Sequence, residues 1–236
     1  MNLIFLDTET TGNELGRDRL YQVCYKVGDG ETKTEYFKPP VSMTVKSMSI
    51  THVTDKMLVD KPPFEGSQMQ EDLAKLFIDG ILVAHNAKFD IAMLEAEGLK
   101  VPKSICTLRV ARFLDTNAVI PEYGLQFLRY YLGLEIEGNA HDAEGDVNVL
   151  YAVFNRLFAK IRETVESDEE AINKMIEISA NPTLFTKFNF GKYKDRKLEE
   201  VLIIDRGYLE WLLRTKLQDN PDDEDWIYTL KFYLKV

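Results

Sequence analysis

The hydrophobic period changes along this chain, and that change limits the fold more than any other feature. Short apolar or alternating runs at 3–6, 20–27 and 32–37 have strand character; Gly28-Asp29-Gly30 marks a hairpin between the last two, and Pro39-Pro40 ends the third. From Ser67 onward the period becomes helical. Ser67-Gln68-Met69-Gln70 has the form of a capping box, Leu73, Leu76 and Phe77 supply an apolar stripe, and Gly80 fits a helical stop. Residues 81–84 read as one buried strand, leading into a helix over about 87–97 that Gly98 closes. Val147, Leu150, Phe154, Leu157, Phe158 and Ile161 then recur at helical spacing. An antiparallel meander followed by a strand with crossover helices predicts an α/β domain.

Charge divides the chain further. Of 39 acidic and 29 basic side chains, residues 1–166 hold 25 and 18, residues 167–181 hold 4 and 1, and residues 182–236 hold 10 of each. The run Glu166-Ser167-Asp168-Glu169-Glu170 and the breaker Asn181-Pro182 bracket a short amphipathic helix with Ile172, Met175 and Ile176 on one face. Three parts are expected: a domain at 1–166, an acidic helical linker at 167–181 and a small C-terminal domain at 182–236. With 45% hydrophobic residues the chain can build a sizeable core, and wholesale disorder is excluded. Cys24 and Cys106 sit in strand-like apolar runs and read as reduced core thiols. No apolar stretch approaches the roughly 20 residues of a membrane span, and no basic lead precedes the N-terminal apolar residues, so a soluble cytoplasmic protein with no membrane partner is expected. The net charge of -10, taken alone, argues against nucleic acid as a partner.

Three groups of carboxylates qualify that argument. Asp7 and Glu9 end the first strand with one residue between them and so share a side of it, at the end of a strand where α/β sheets place ligands. Asp90 lies one turn into the helix after the buried strand, with Asn86 as a possible N-cap; a first-turn acid also suits the helix dipole. His141-Asp142-Ala143-Glu144-Gly145-Asp146 opens the long helix, where Asp142 could cap and, lying i, i+4 to Asp146, shares its face. Gathered on one rim, these acids would repel one another without a cation, and hard oxygen ligands suit Mg²⁺ or Mn²⁺. Two such ions about 3.5–4 Å apart are what in-line phosphoryl displacement uses, and a histidine is the natural general base at neutral pH.

Motif by motif, the chain resembles the DnaQ-like 3'-to-5' exonuclease superfamily in its histidine-containing DEDDh branch. The matching segments are Phe5-Leu6-Asp7-Thr8-Glu9-Thr10-Thr11-Gly12, Val83-Ala84-His85-Asn86-Ala87-Lys88-Phe89-Asp90 and His141-Asp142-Ala143-Glu144-Gly145-Asp146, with Ser49-Ile50-Thr51-His52-Val53-Thr54 similar to the connecting stretch. The resemblance covers about residues 1–165. It implies a ribonuclease-H-like fold, a mixed five-stranded sheet flanked by helices. It also implies that Asp7 bridges two divalent ions, Mg²⁺ or Mn²⁺, that Glu9 and Asp146 hold the ion nearer the attacking water, that Asp90 supports the second, and that His141 takes the proton. Thr10, Thr11 and Gly12 follow the paired acids, where backbone groups and a small residue could approach the terminal nucleotide closely. His52 and Asn86 match positions lining the family's substrate pocket; Asn86 as a plain cap and His52 as a loop-packing residue are the structural alternatives. The implied activity is release of 5'-mononucleotides from 3'-hydroxyl ends of DNA. An RNA 3'-end exonuclease, or a catalytically weak nucleic-acid-binding subunit, are the alternatives.

The segment Phe188-Asn189-Phe190-Gly191-Lys192-Tyr193-Lys194-Asp195-Arg196-Lys197, with Tyr208-Leu209-Glu210-Trp211-Leu212-Leu213 after it, resembles the small C-terminal domain that follows the nuclease domain in exodeoxyribonucleases of the X type and their phage relatives. Here Phe188, Phe190, Tyr193 and Trp211 are expected to fill a small core, while Lys192, Lys194, Arg196 and Lys197 are expected to face nucleic acid. The appendage is expected to be separable from the chemistry.

Overall fold

A computed structural model of the protein describes residues 2–136 and 143–236. β1 (Leu3–Thr10), β2 (Leu20–Val27) and β3 (Thr32–Tyr36) form the antiparallel meander. After α1 (Val45–Thr51), α2 (Asp55–Leu58) and α3 (Gln68–Leu76), β4 (Ile81–Ala84) pairs parallel to the other side of β1. Next come α4 (Lys88–Ala96), β5 (Ser104–Cys106), parallel to β4, α5 (Thr107–Leu114), α6 (Leu125–Tyr131), α7 (Ala143–Arg162) and α8 (Asp168–Ala180). The sheet order β3-β2-β1-β4-β5 puts β1 in the centre. This is the mixed five-stranded sheet that the motif resemblance implies, with helices on both faces.

Local chemistry explains most of these boundaries. Ser67 caps α3 by accepting the Gln70 N–H at 3.2 Å; Gln70 Oε1 in turn accepts the Gly66 N–H and its Nε2 donates to Glu97 O, so the box also ties α3 to the end of α4. Gly80 is fixed by packing rather than by dihedral: a Cβ there would lie 2.4 Å from both Ile4 Cδ1 and Leu76 O. Alternation along β1 sends Phe5 into one core, with α7, and Ile4 and Leu6 into the other, with α3 and α4. On α7 the residues Val147, Leu150, Val153, Phe154, Leu157 and Ile161 are buried, each large side chain contributing about 2 kcal/mol. Cys24 and Cys106 are free and buried.

The stretch at 167–181 folds as α8, and its face of Ala171, Ile172, Met175 and Ile178 joins the same core as α7. Beyond Pro182, α9 (Leu198–Ile204), α10 (Arg206–Asp219) and α11 (Glu224–Leu234) surround a separate cluster built on Phe188, Leu198, Leu209, Leu212, Trp226 and Leu230. The two bodies meet through charge. Arg109 on α5 donates to Ser179 O at 2.7 Å and pairs with Glu224 and Asp225 at the start of α11; Arg112 reaches Asp225 at 2.8 Å, and Lys88 pairs with Glu224. Among the described residues no helix is long and apolar enough to cross a membrane.

Candidate active site

Asp7 and Glu9, two apart on the central strand, point to the α7 side of the sheet, where the first turn of α7 presents Asp146. One carboxylate oxygen from each of the three lies within 4.8 Å of the others. Asp146 is buried, and Gln126 on α6 donates its side-chain amide to it. Sequence reasoning missed Gln126, a polar residue without motif context. Three acids this close, one of them buried, repel strongly, and an all-oxygen donor set is what a hard divalent cation binds. The residues present therefore fit the metal that the motifs imply.

Asp90 is placed differently. It comes from α4, on the opposite face of the sheet, and its Oδ1 accepts both the Thr8 N–H at 3.2 Å and the Thr8 hydroxyl at 2.8 Å. Thr8 is the residue between Asp7 and Glu9, so Asp90 grips the back of the strand whose front carries the cluster. The residue is 4% exposed, and burial pushes its pKa up to about 7 against the opposing pull of the Thr8 hydrogen bonds. Asn86 does not cap α4: the cap position is Ala87, and Asn86 stands exposed in the left-handed region at φ 64°. A helix that begins straight after a buried strand must turn sharply, and asparagine tolerates that conformation well. His141 and Asp142 lie outside the described residues.

The side chains after Glu9 are used internally. The Thr10 hydroxyl donates to Gly12 O at 2.8 Å and the Thr11 hydroxyl to Asp18 Oδ1 at 3.1 Å, while Ser47 Oγ donates to Thr10 O. Gly12 is sterically required, since a Cβ would meet Asp18 Oδ2 at 2.4 Å. Asp18, also unanticipated, is the organiser of this loop. Burial works to raise its pKa, but hydrogen bonds from Glu14 N–H, Arg17 and Thr11 outweigh that and hold it below the usual range. His52 is exposed and ends α1 at φ 59°, which does not match a loop-packing role.

His85 is the described histidine nearest these motifs in sequence, and its bonding disqualifies it as a base. Nε2 lies 2.7 Å from Tyr123 O, which can only accept, so Nε2 carries a proton; Nδ1 lies 2.9 Å from the Thr107 hydroxyl, which also lies 3.3 Å from Ala84 O and, with the ring neutral, turns its proton to Nδ1. Burial lowers its pKa to about 4, the Tyr123 hydrogen bond opposing and Arg112 adding to the fall. A histidine held neutral in the folded state costs stability as pH drops from the unfolded pKa of about 6.5 towards about 4. Wild type should therefore lose about 2 kcal/mol more than His85→Gln between pH 7 and pH 5, measured by urea unfolding in EDTA. Asp90 acts with the opposite sign over that range and is common to both chains; parallel pH profiles would refute the assignment.

In the C-terminal body, Phe188 N–H donates to Arg196 O at 2.9 Å and Asp195 N–H to Phe188 O at 2.7 Å, while Lys187 and Lys197 form a β-bridge. This knuckle buries Phe188 and leaves Lys192, Lys194, Arg196 and Lys197 exposed; Lys192 pairs with Asp205 at 3.1 Å.

Comparison with known proteins agrees with this geometry. The exonuclease (RNase_T) family profile matches residues 4–154, and the exodeoxyribonuclease X-like C-terminal profile matches residues 188–215. The DNA polymerase III subunit epsilon of Treponema pallidum is 32% identical over 65% of this chain and 74% of its own length. Exodeoxyribonuclease 10 of Escherichia coli K12 is 28% identical over 99% of both chains. Among solved structures, exonuclease X in complex with 5' overhanging duplex DNA superposes with a TM-score of 0.58 at 22% identity, over 75% of this chain and 99% of that one. Escherichia coli exonuclease I with a dT13 oligonucleotide does so with a TM-score of 0.56 at 22% identity, over 68% and 43%. With the profile spanning most of the sheet and its flanking helices, and a second profile on the appendage, the chain is a nuclease that belongs to the DnaQ-like exonuclease family.

Proposed function

We propose that this protein hydrolyses DNA from 3'-hydroxyl ends to 5'-mononucleotides, using two divalent ions, Mg²⁺ or Mn²⁺. The observation that carries the reading is the Asp7, Glu9 and Asp146 cluster at the end of the central strand. Asp7, Glu9 and Asp146 would hold one ion; Asp7 would reach the second, with Asp90 supporting it indirectly by holding Thr8 from behind. Bound there, the cations supply Lewis-acid activation of the attacking water and charge neutralisation at the phosphate. Asp90, pinned to Thr8, fixes the strand end, and Gln126 orients Asp146. His141 would accept the proton of the attacking water, a task that the neutral, doubly bonded His85 cannot perform.

For substrate, the buried side chains of Thr10 and Thr11 leave the backbone of the Thr10-Thr11-Gly12 loop to approach the terminal nucleotide, with His52 and Asn86 exposed to reach it. We assign the chemistry to residues 1–166, supported by the helix at 167–181, and assign strand holding to 182–236, where Lys192, Lys194, Arg196 and Lys197 would meet phosphates. DNA is favoured because a relative aligned over 99% of both chains is an exodeoxyribonuclease and the superposed structures hold DNA.

The test offers matched DNA and RNA, single- and double-stranded, with 3'-hydroxyl or blocked ends, in Mg²⁺ or EDTA. Release of 5'-deoxynucleotides only from DNA with an open 3' end and only with metal is expected. Full activity in EDTA would end the metal mechanism, a preference for RNA would reassign the substrate, and binding without release would point to an accessory subunit.

A further inference from the structure

Four aromatic residues of the C-terminal segment were expected in its core, and one is not there. Phe188 is buried and Phe190 and Tyr193 pack against the cluster, but Trp211 stands 50% exposed outside it. It is not isolated. The Trp211 ring lies 5.5 Å from Tyr208, Tyr208 lies 5.0 Å from Tyr193, and Lys192 Nζ sits 4.7 Å above the Tyr193 ring. This row is built rigidly. Tyr193 donates its hydroxyl to Asp205 Oδ2 at 2.7 Å, Asp205 caps α10 through Tyr208 N–H, and Gly191, at φ 70°, leaves room for the Tyr208 hydroxyl, which a Cβ would approach to 2.9 Å. The acidic neighbours are engaged: Asp205 with Lys192 and Tyr193, and Glu210 with Arg206. Lys194 and Arg196, in the same knuckle, and Arg214, one turn after Trp211 on α10, are exposed.

We propose that Trp211, propped by Tyr208, against which Tyr193 is set edge to face, with Lys192 beside them, forms a stacking platform for single-stranded DNA, the part of the strand upstream of the 3' end being trimmed. A rigid aromatic surface offers its π face to any base, and cations beside it meet the backbone phosphates, so binding is tolerant of sequence, as an exonuclease needs. The charge is complementary: from Lys187 to Lys197 the chain carries five basic residues against one acidic, in a protein whose net charge is -10. Trp211 is the principal stacking group because its indole is the most open ring in the row. The platform rests on the proposed reading that DNA is the substrate, and the experiment separates the two.

The chain's two tryptophans supply the readout. Trp226 is 5% exposed among Phe185, Phe188 and Phe190 and forms a constant background, so a fluorescence change on DNA binding reports Trp211. The full-length protein in EDTA is titrated with an end-labelled oligothymidylate of about 20 nucleotides, a length covering a typical single-strand site, following tryptophan emission and label anisotropy together. Saturable quenching that weakens with salt is expected, absent in Trp211→Phe. Affinity by anisotropy should fall about tenfold in Trp211→Ala and only a few-fold in Trp211→Phe, which keeps a ring and guards against misfolding. Cleavage of a dinucleotide, which offers almost no upstream strand, should be the same in all three. Binding without quenching, unchanged affinity in Trp211→Ala, or no binding at all would each overturn the platform. Adding Mg²⁺ to the same mixtures shows separately whether nucleotides are released, so the nuclease reading stands or falls on its own.

Discussion

Asp146→Ala should lower Mg²⁺-dependent nucleotide release by about a thousandfold or more, since cation stabilisation of the reacting phosphate is worth several kcal/mol and each 1.4 kcal/mol is about tenfold. The same substitution should not weaken the fold. Asp146 lies within 4.8 Å of Asp7 and Glu9, and like charges at that distance repel by about 3 kcal/mol at an effective dielectric constant near 20. Relief of this repulsion offsets the loss of the hydrogen bond from Gln126, which is one of the contacts Asp146 makes. In EDTA the variant is expected to melt at or above the wild-type temperature. Adding Mg²⁺ should raise the wild-type melting temperature, because ligand binding to the folded state stabilises it, and should leave the variant nearly unmoved. A variant that keeps its activity, or responds to Mg²⁺ as wild type does, would remove Asp146 from the ligand set.

The electrostatic cost of gathering three carboxylates explains why the centre of the site was legible in the sequence. Carboxylates on adjoining strand and helix ends make a poor structural choice, so their presence at Asp7, Glu9 and Asp146 signals a ligand. The meander, β4 and α7 were legible for a different reason: alternation and helical periodicity are local. Asp90 was found as a residue but not as an arrangement, because nothing in its own neighbourhood says that it binds Thr8, 82 residues away, from the other face of the sheet. Asp18 and Gln126 were invisible for the same reason. Each is an ordinary polar residue until the fold brings its partner to it. Asn86 misled because the residue types that cap helices also tolerate left-handed backbone.

The appendage shows where composition fails. Aromatic residues at close spacing read alike whether they enter a core or line a surface, and only the geometry separates Phe188 from Trp211. Nor could the sequence show that the appendage is locked to the nuclease body. The acids Asp222, Asp223, Glu224 and Asp225 look like ordinary first-turn charge on a helix. Two of them meet Arg109, Arg112 and Lys88, from elements more than 100 residues earlier.

That lock sets the largest stability effect expected in the molecule. The Arg109 side chain is only 8% exposed, and its guanidinium holds Ser179 O, Glu224 and Asp225 at once, joining α5, the end of α8 and the start of α11. Asp225 also accepts Thr183 N–H at 2.9 Å, fixing the chain just past Pro182. Arg109→Ala leaves a buried carbonyl without its donor and two acids with one cation fewer, a loss of about 3–5 kcal/mol for removing one partner of a buried pair. At about 2–4 °C per kcal/mol for a chain of this size, the melting temperature should fall by about 10 °C. The metal ligands are untouched, so nucleotide release well below the new melting point should persist. Deleting residues 182–236 would strip Glu224 and Asp225 from Arg109 and leave only Ser179 O, which makes the appendage less separable from the nuclease body than a tethered domain would be. A double-mutant cycle with Asp225→Asn gives the decisive number. Coupling of about 1–3 kcal/mol between the two positions identifies this ion pair as part of the latch; additivity would remove the Arg109–Asp225 pair from it and leave the joint to the Arg109–Glu224 and Arg112–Asp225 pairs.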